Sequence, residues 1–126
     1  LGDIEYQFGH YDDSVQAYEY ALNLTDKSPQ IETALALVLT ARAKPGDTAR
    51  AIELCKRSLL VQPAPLTYWV LARAYGEDNA GLDAWAMAEY YNMTGHPDKA
   101  KKYAKIARQK LDKKTPEYIK SGDLLK

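Results

Sequence analysis

Two histidines, one cysteine and scattered serines are the residues of this 126-residue chain that could support nucleophilic or metal chemistry, and their spacing supports neither. His10 and His96 stand beside the turn glycines Gly9 and Gly95, outside any His-Glu-x-x-His arrangement that would set two imidazoles one helical turn apart around zinc. Cys55 is the only thiol, so it forms no internal disulfide, and it falls at a small, inward-facing position that reads as core. The seven glycines occur singly, which leaves no glycine-rich loop to cradle a phosphate. No serine has a base at a spacing that would activate it. The chain itself is therefore expected to carry no catalytic residue, no metal ligand and no cofactor.

Charge and aromatic supply point to binding instead. Seventeen basic and seventeen acidic residues give zero net charge, so no global field calls for nucleic acid. Their distribution is uneven. Up to Glu32 the acids Asp3, Glu5, Asp12, Asp13, Glu19, Asp26 and Glu32 meet only Lys27, whereas from Asp98 to Lys114 eight bases meet only Asp98 and Asp112. In that basic stretch Ala100, Tyr103, Ala104, Ala107 and Leu111 make one helical stripe and leave Lys101, Lys102, Lys105 and Arg108 outside as a candidate basic face. No aromatic platform for bases interleaves with it, which speaks against nucleic acid; steep salt dependence of binding would argue for it. Ten tyrosines and two tryptophans against one phenylalanine suit partly exposed protein contacts. No apolar run approaches the roughly eighteen residues of a membrane span.

The elements that position these residues are announced by a repeated cadence. From each of Gly9, Gly46 and Gly95, steps of five, four and three residues reach Ser14, Tyr18 and Ala21, then Ala51, Cys55 and Ser58, then Ala100, Ala104 and Ala107. Small side chains at fixed steps after a turn let two antiparallel helices approach closely. The same count from Gly76 lands on Gly81, Trp85 and Ala88, so one helix serves both the unit before it and the unit after. Pro29 comes after Ser28 as a helix start, Asp47 is placed to cap the helix beyond the Pro45-Gly46 turn, and Pro63, Pro65 and Pro97 mark further boundaries. Eight helices are expected, near 1–8, 11–25, 29–44, 48–61, 64–77, 79–94, 97–112 and 115–125, the last a capping helix opened by Thr115-Pro116-Glu117.

This pattern resembles the tetratricopeptide-repeat (TPR) family, built from helix-turn-helix units of about 34 residues. The resemblance implies an all-α fold, a right-handed superhelix of antiparallel helix pairs in one domain over residues 1–126. In such repeats the first helix of each unit lines a concave groove, which makes Tyr68, Trp69, Arg73, Trp85, Glu89, Asn92 and Met93 the candidate protein-binding residues. Packing between helices is the competing role for each, most of all for Trp85. TPR domains that grip a C-terminal carboxylate resemble one another in a clamp of Lys and Asn; the matching places here hold Asp3, Leu37, Arg73 and Glu89, against a chaperone-tail clamp.

The second half carries a more specific resemblance. The order LARAY (Leu71 to Tyr75), MAEYY (Met87 to Tyr91), a glycine turn, a Lys/Arg-rich helix and TPEY (Thr115 to Tyr118) is similar to the C-terminal TPR region of BepA-like bacterial periplasmic zinc metallopeptidases. That resemblance implies a non-catalytic docking and substrate-positioning module in the periplasm of a Gram-negative bacterium. Its partners would be an outer-membrane assembly complex, an unfolded substrate or its own peptidase domain, and zinc would sit in that other domain. The start at Leu1 rather than a methionine fits a piece of a longer protein. The alternative reading is a stand-alone TPR scaffold of a cytoplasmic complex.

Overall fold

The computed structural model describes residues 10–26 and 28–126; the helix expected near 1–8, with Gly2, Asp3, Glu5 and Gly9, and also Lys27, lie outside the described residues. Among the described residues the fold is all-helical: α1 (Tyr11–Leu24), α2 (Pro29–Arg42), α3 (Asp47–Val61), α4 (Pro65–Tyr75), a 3-10 turn (Glu77–Asn79), α5 (Ala80–Met93), α6 (Pro97–Lys110) and α7 (Pro116–Leu124). They fall into two compact units, divided between Pro63 and Ala64. No described helix is long and apolar enough to cross a membrane.

Local chemistry accounts for where the helices start and stop. Proline opens α2, α4, α6 and α7, where its missing N–H costs no hydrogen bond. Ser28 caps α2 by accepting from the Ile31 amide at 3.4 Å, and Thr115 caps α7 by accepting from Tyr118 at 3.3 Å. α2 stops at Arg42, two residues short of the expected end. Ala43 turns left-handed at φ 56°, and Lys44 precedes Pro45, whose ring disfavours helical geometry in its neighbour. α4 stops at Tyr75 because Gly76, at φ 54° and ψ −153°, adopts a conformation few residues other than glycine tolerate.

In the first unit α2 packs on both α1 and α3. Contacts at opposite ends show that α2 and α3 run antiparallel: Gln30 donates to Gln62 at 3.2 Å, while Arg42 lies on Asp47. Leu35, Leu39 and Leu54 are fully buried, each contributing about 1.5–3 kcal/mol by leaving water. A polar pair crosses the same interface, Thr33 Oγ1 and Ser58 Oγ at 3.1 Å, with Ser58 also donating to the Pro29 carbonyl at 3.0 Å.

Asp47 corrects one expectation. It opens α3 behind Gly46, but no side chain caps that helix, because the Asp47 carboxylate turns back. It accepts from Arg42 Nε and a terminal guanidinium nitrogen, both at 2.8 Å, and from the Lys44 amide at 3.0 Å. Charge-assisted bonds from a planar fork outweigh a single neutral cap.

In the second unit α5 packs on both α4 and α6, and α7 folds onto α6 and α5. The cadence residues Gly81, Trp85 and Ala88 of α5, and Ala100, Ala104 and Ala107 of α6, are all buried. Gly81 shows why one of these places is small. A Cβ there would stand 2.8 Å from Leu111 Cδ2 and 3.2 Å from Lys110 Cβ, so the start of α5 and the end of α6 meet with no room for a side chain.

Candidate functional site

The second unit gathers part of the expected groove. Tyr68 projects from the first turn of α4, and Trp85 and Glu89 lie one turn apart on α5, hence on the same face. The Tyr68 and Trp85 rings meet edge to face, with centroids 5.8 Å apart and planes at 86°. Helix α7 brings Lys120 to the same place, its ammonium 5.7 Å above the Trp85 ring. Trp85 is only 5% exposed, so its ring acts through the groups it holds rather than as open contact surface. Its Nε1 and the Oγ of the buried Ser121 have no hydrogen-bond partner.

The electrostatics of this cluster follow from burial. Desolvation raises the pKa of Glu89; Lys120 opposes the shift and Asp123 adds to it. Desolvation also raises that of the Tyr68 phenol, and the charge of Glu89 adds to it. Asp83, nearer the start of α5, is raised by desolvation alone. The result is a half-buried acid, a phenol and an ammonium around an indole, a set able to bind amide and charged groups beside an apolar surface.

The remaining groove candidates are not drawn into that cluster. Trp69 and Arg73 form a pair of their own on α4, the guanidinium carbon 4.7 Å from the indole centroid, in cation–π range. Asn92 and Met93 stand exposed at the last turn of α5. Of the four places matched to a carboxylate clamp, Asp3 lies outside the described residues, Leu37 and Glu89 are half-buried, and Arg73 is exposed.

On the basic face Lys101, Lys102 and Lys105 are exposed, whereas Arg108 is engaged within the unit. Its guanidinium lies 4.2 Å over the Tyr118 ring, and Gly122 leaves room for it, since a Cβ at Gly122 would come within 2.8 Å of its terminal nitrogen. An aromatic pair also stands beside this face. Tyr91 of α5 stacks on Tyr103 of α6, centroids 5.5 Å apart and planes at 17°, with Lys99 5.3 Å over Tyr91 and Lys102 5.7 Å over Tyr103. Tyr91 and Tyr103 are twelve residues apart across a turn, and only the antiparallel register of α5 and α6 reveals the pair.

The histidines and the cysteine have these neighbours. His96 Nδ1 lies 3.1 Å from Thr94 Oγ1, and the His96 ring meets Tyr91 at an edge. His10 lies 3.9 Å from Asp13. Cys55 is buried, and burial, with the charge of Glu32, pushes its thiol up to about 12, which keeps it protonated and unreactive. Among the described residues no three His, Cys, Asp or Glu side chains come together as metal ligands.

Compared with protein-family models, with curated proteins and with solved structures, the chain matches none.

Proposed function

We propose that this chain is a non-catalytic protein-docking domain of TPR type, in which antiparallel helix pairs continue as a right-handed superhelix. The single observation that carries the reading is the clustering of Tyr68, Trp85 and Glu89 with Lys120. Tyrosine and tryptophan are among the residues enriched where protein contacts concentrate their energy. The repeated cadence after glycines, whose residues in α3, α5 and α6 are buried, supports the repeat architecture.

The sequence resemblance supplies a context for this domain. It would serve as the docking and substrate-positioning part of a periplasmic zinc metallopeptidase, with zinc and hydrolysis in a separate domain. Two experiments test these levels separately. Peptides selected by display against the folded chain should lose affinity about tenfold or more with Tyr68→Ala or Lys120→Ala, as expected of hot-spot residues. Selected peptides indifferent to both changes would refute the docking face. Intact mass and N-terminal sequencing of the protein from its native source test the context: a much longer chain bearing His-Glu-x-x-His supports it, and a chain starting near Leu1 leaves an independent adaptor.

A further inference from the structure

The two units discharge their ions differently. In the first, acids and bases meet: Asp12 takes Lys44 at 2.8 Å and Arg42 at 3.1 Å, Asp47 takes Arg42, Glu19 takes Arg50 and Glu32 takes Arg57. Of the acids read from the sequence as an acidic end, Asp12, Glu19 and Glu32 are thus paired with bases from α2, α3 and the turn between them. The basic end is not. Helix α6 carries Lys99, Lys101, Lys102, Lys105, Arg108 and Lys110 with the single acid Asp98, and among the described residues none of these six cations reaches a carboxylate. Three rest on tyrosine rings, which stabilises them without removing charge. Lys101, Lys105 and Lys110 have neither partner, and the exposed Lys113 and Lys114 extend the field past the helix end.

We propose that this exposed face of α6 binds an acidic segment of another polypeptide, one rich in Asp and Glu and extended when bound. The chemistry of the face selects that class. Base stacking needs a free ring, and Tyr91 and Tyr103 are already engaged by each other and by a lysine apiece. Bidentate phosphate binding favours a guanidinium fork, and the one arginine of α6 lies on Tyr118. Insertion into lipid needs apolar anchors among the cations, and no large apolar residue of α6 is exposed. Ammonium groups on flexible stems remain, point charges suited to carboxylates in a mobile chain. Lys101 and Lys105 are one helical turn apart, about 6 Å along the axis, close to the ~6.8 Å between alternate residues of an extended strand. A Glu at every second place of the partner would therefore follow the row.

The surface is separate from the aromatic face, so its test is independent of that reading. The folded chain is titrated into fluorescein-labelled peptides of alternating Glu and Ser, with Gln-for-Glu peptides as controls, at about 25 and about 300 mM NaCl. The Glu peptide should bind at low salt and the Gln peptide should not, with affinity falling about tenfold or more at high salt. The Lys101→Glu/Lys105→Glu variant should lose about tenfold or more, while Lys56→Glu, at an exposed place in the first unit, should not. No saturable binding at low salt would overturn the proposal, as would equal loss with Lys56→Glu. Oligouridylate or phosphatidylglycerol vesicles binding as tightly as the Glu peptide through the same lysines would overturn it too, assigning the face to nucleic acid or membrane.

Discussion

Replacing Arg57 should destabilise the first unit far more than a half-exposed residue ordinarily would, because of what it leaves behind. Glu32 lies within α2, 1% exposed, and Arg57 Nε stands 3.1 Å from one carboxylate oxygen. The contact is one of charge: neither Glu32 oxygen has a hydrogen bond of acceptable geometry. Removing one partner of a buried pair typically costs about 3–5 kcal/mol, because the other charge is left unsolvated. Arg57 is 40% exposed, so water already screens part of the attraction, and about 2 kcal/mol is the reasoned loss for Arg57→Ala. Glu32→Met removes the buried charge while keeping an unbranched chain of similar size, and should leave stability within about 1 kcal/mol of the parent or raise it. In the Glu32→Met background Arg57→Ala becomes a surface change worth less than about 0.5 kcal/mol. Urea unfolding followed by far-ultraviolet circular dichroism reads all four proteins. At a slope of about 2 kcal/mol/M, Arg57→Ala should lower the midpoint by about 1 M only when Glu32 is present. Equal shifts in both backgrounds, or a shift below about 0.3 M with Glu32 in place, would refute the reasoning.

Three further outcomes are expected of the same molecule. Hydrogen bonds from Arg42, outweighing desolvation, hold Asp47 below its ordinary value of 3.8, so its contribution is present above that value and lost as pH falls below it. Asp47→Asn should cost about 1–2 kcal/mol at neutral pH and flatten the acid limb of the stability profile, read by urea midpoints across pH. Glu89 has the opposite sign: desolvation raises it above 4.5, so its contribution is present below that value and lost as pH rises through the folded value. Glu89→Gln should thus unfold at higher urea than the parent near pH 7 and show no advantage near pH 4. Gly81→Val should cost about 1–3 kcal/mol in urea unfolding, because the new side chain must displace Leu111 and the Lys110 backbone-proximal carbon.

The helices were legible because their punctuation is chemical. Ser28-Pro29, Thr115-Pro116 and the glycines at 46, 76 and 95 marked starts and stops to within two residues, and the step from Gly76 identified α5 as a helix with neighbours on both sides. What could not be read is which long side chain reaches which partner. Asp47 stands where a cap belongs and goes to Arg42; Arg108 belongs by periodicity to the open basic face and goes to Tyr118. Glu32 counted as one more surface acid, since nothing in its neighbourhood along the chain announces burial. Lys120 was missed at the aromatic cluster because a nine-residue terminal helix has no sequence signal for the face on which it lands.

The alanine stripe of α6 has a consequence for motion. Its fully interior residues, Ala100, Ala104 and Ala107, give up no rotamer freedom on burial but also release little water. Along the outer side Lys99 and Lys102, Lys102 and Lys105, Lys101 and Lys105, and Lys105 and Arg108 repel at three- and four-residue spacing, each pair opposing the helix by a few tenths of a kcal/mol. Held to α5 by these methyl groups and by the Tyr91–Tyr103 stack, and opposed by its own charge, α6 should exchange the amide hydrogens of its lysine-rich outer side faster than α5 does. Added salt, by screening the lysines, should slow that exchange in α6.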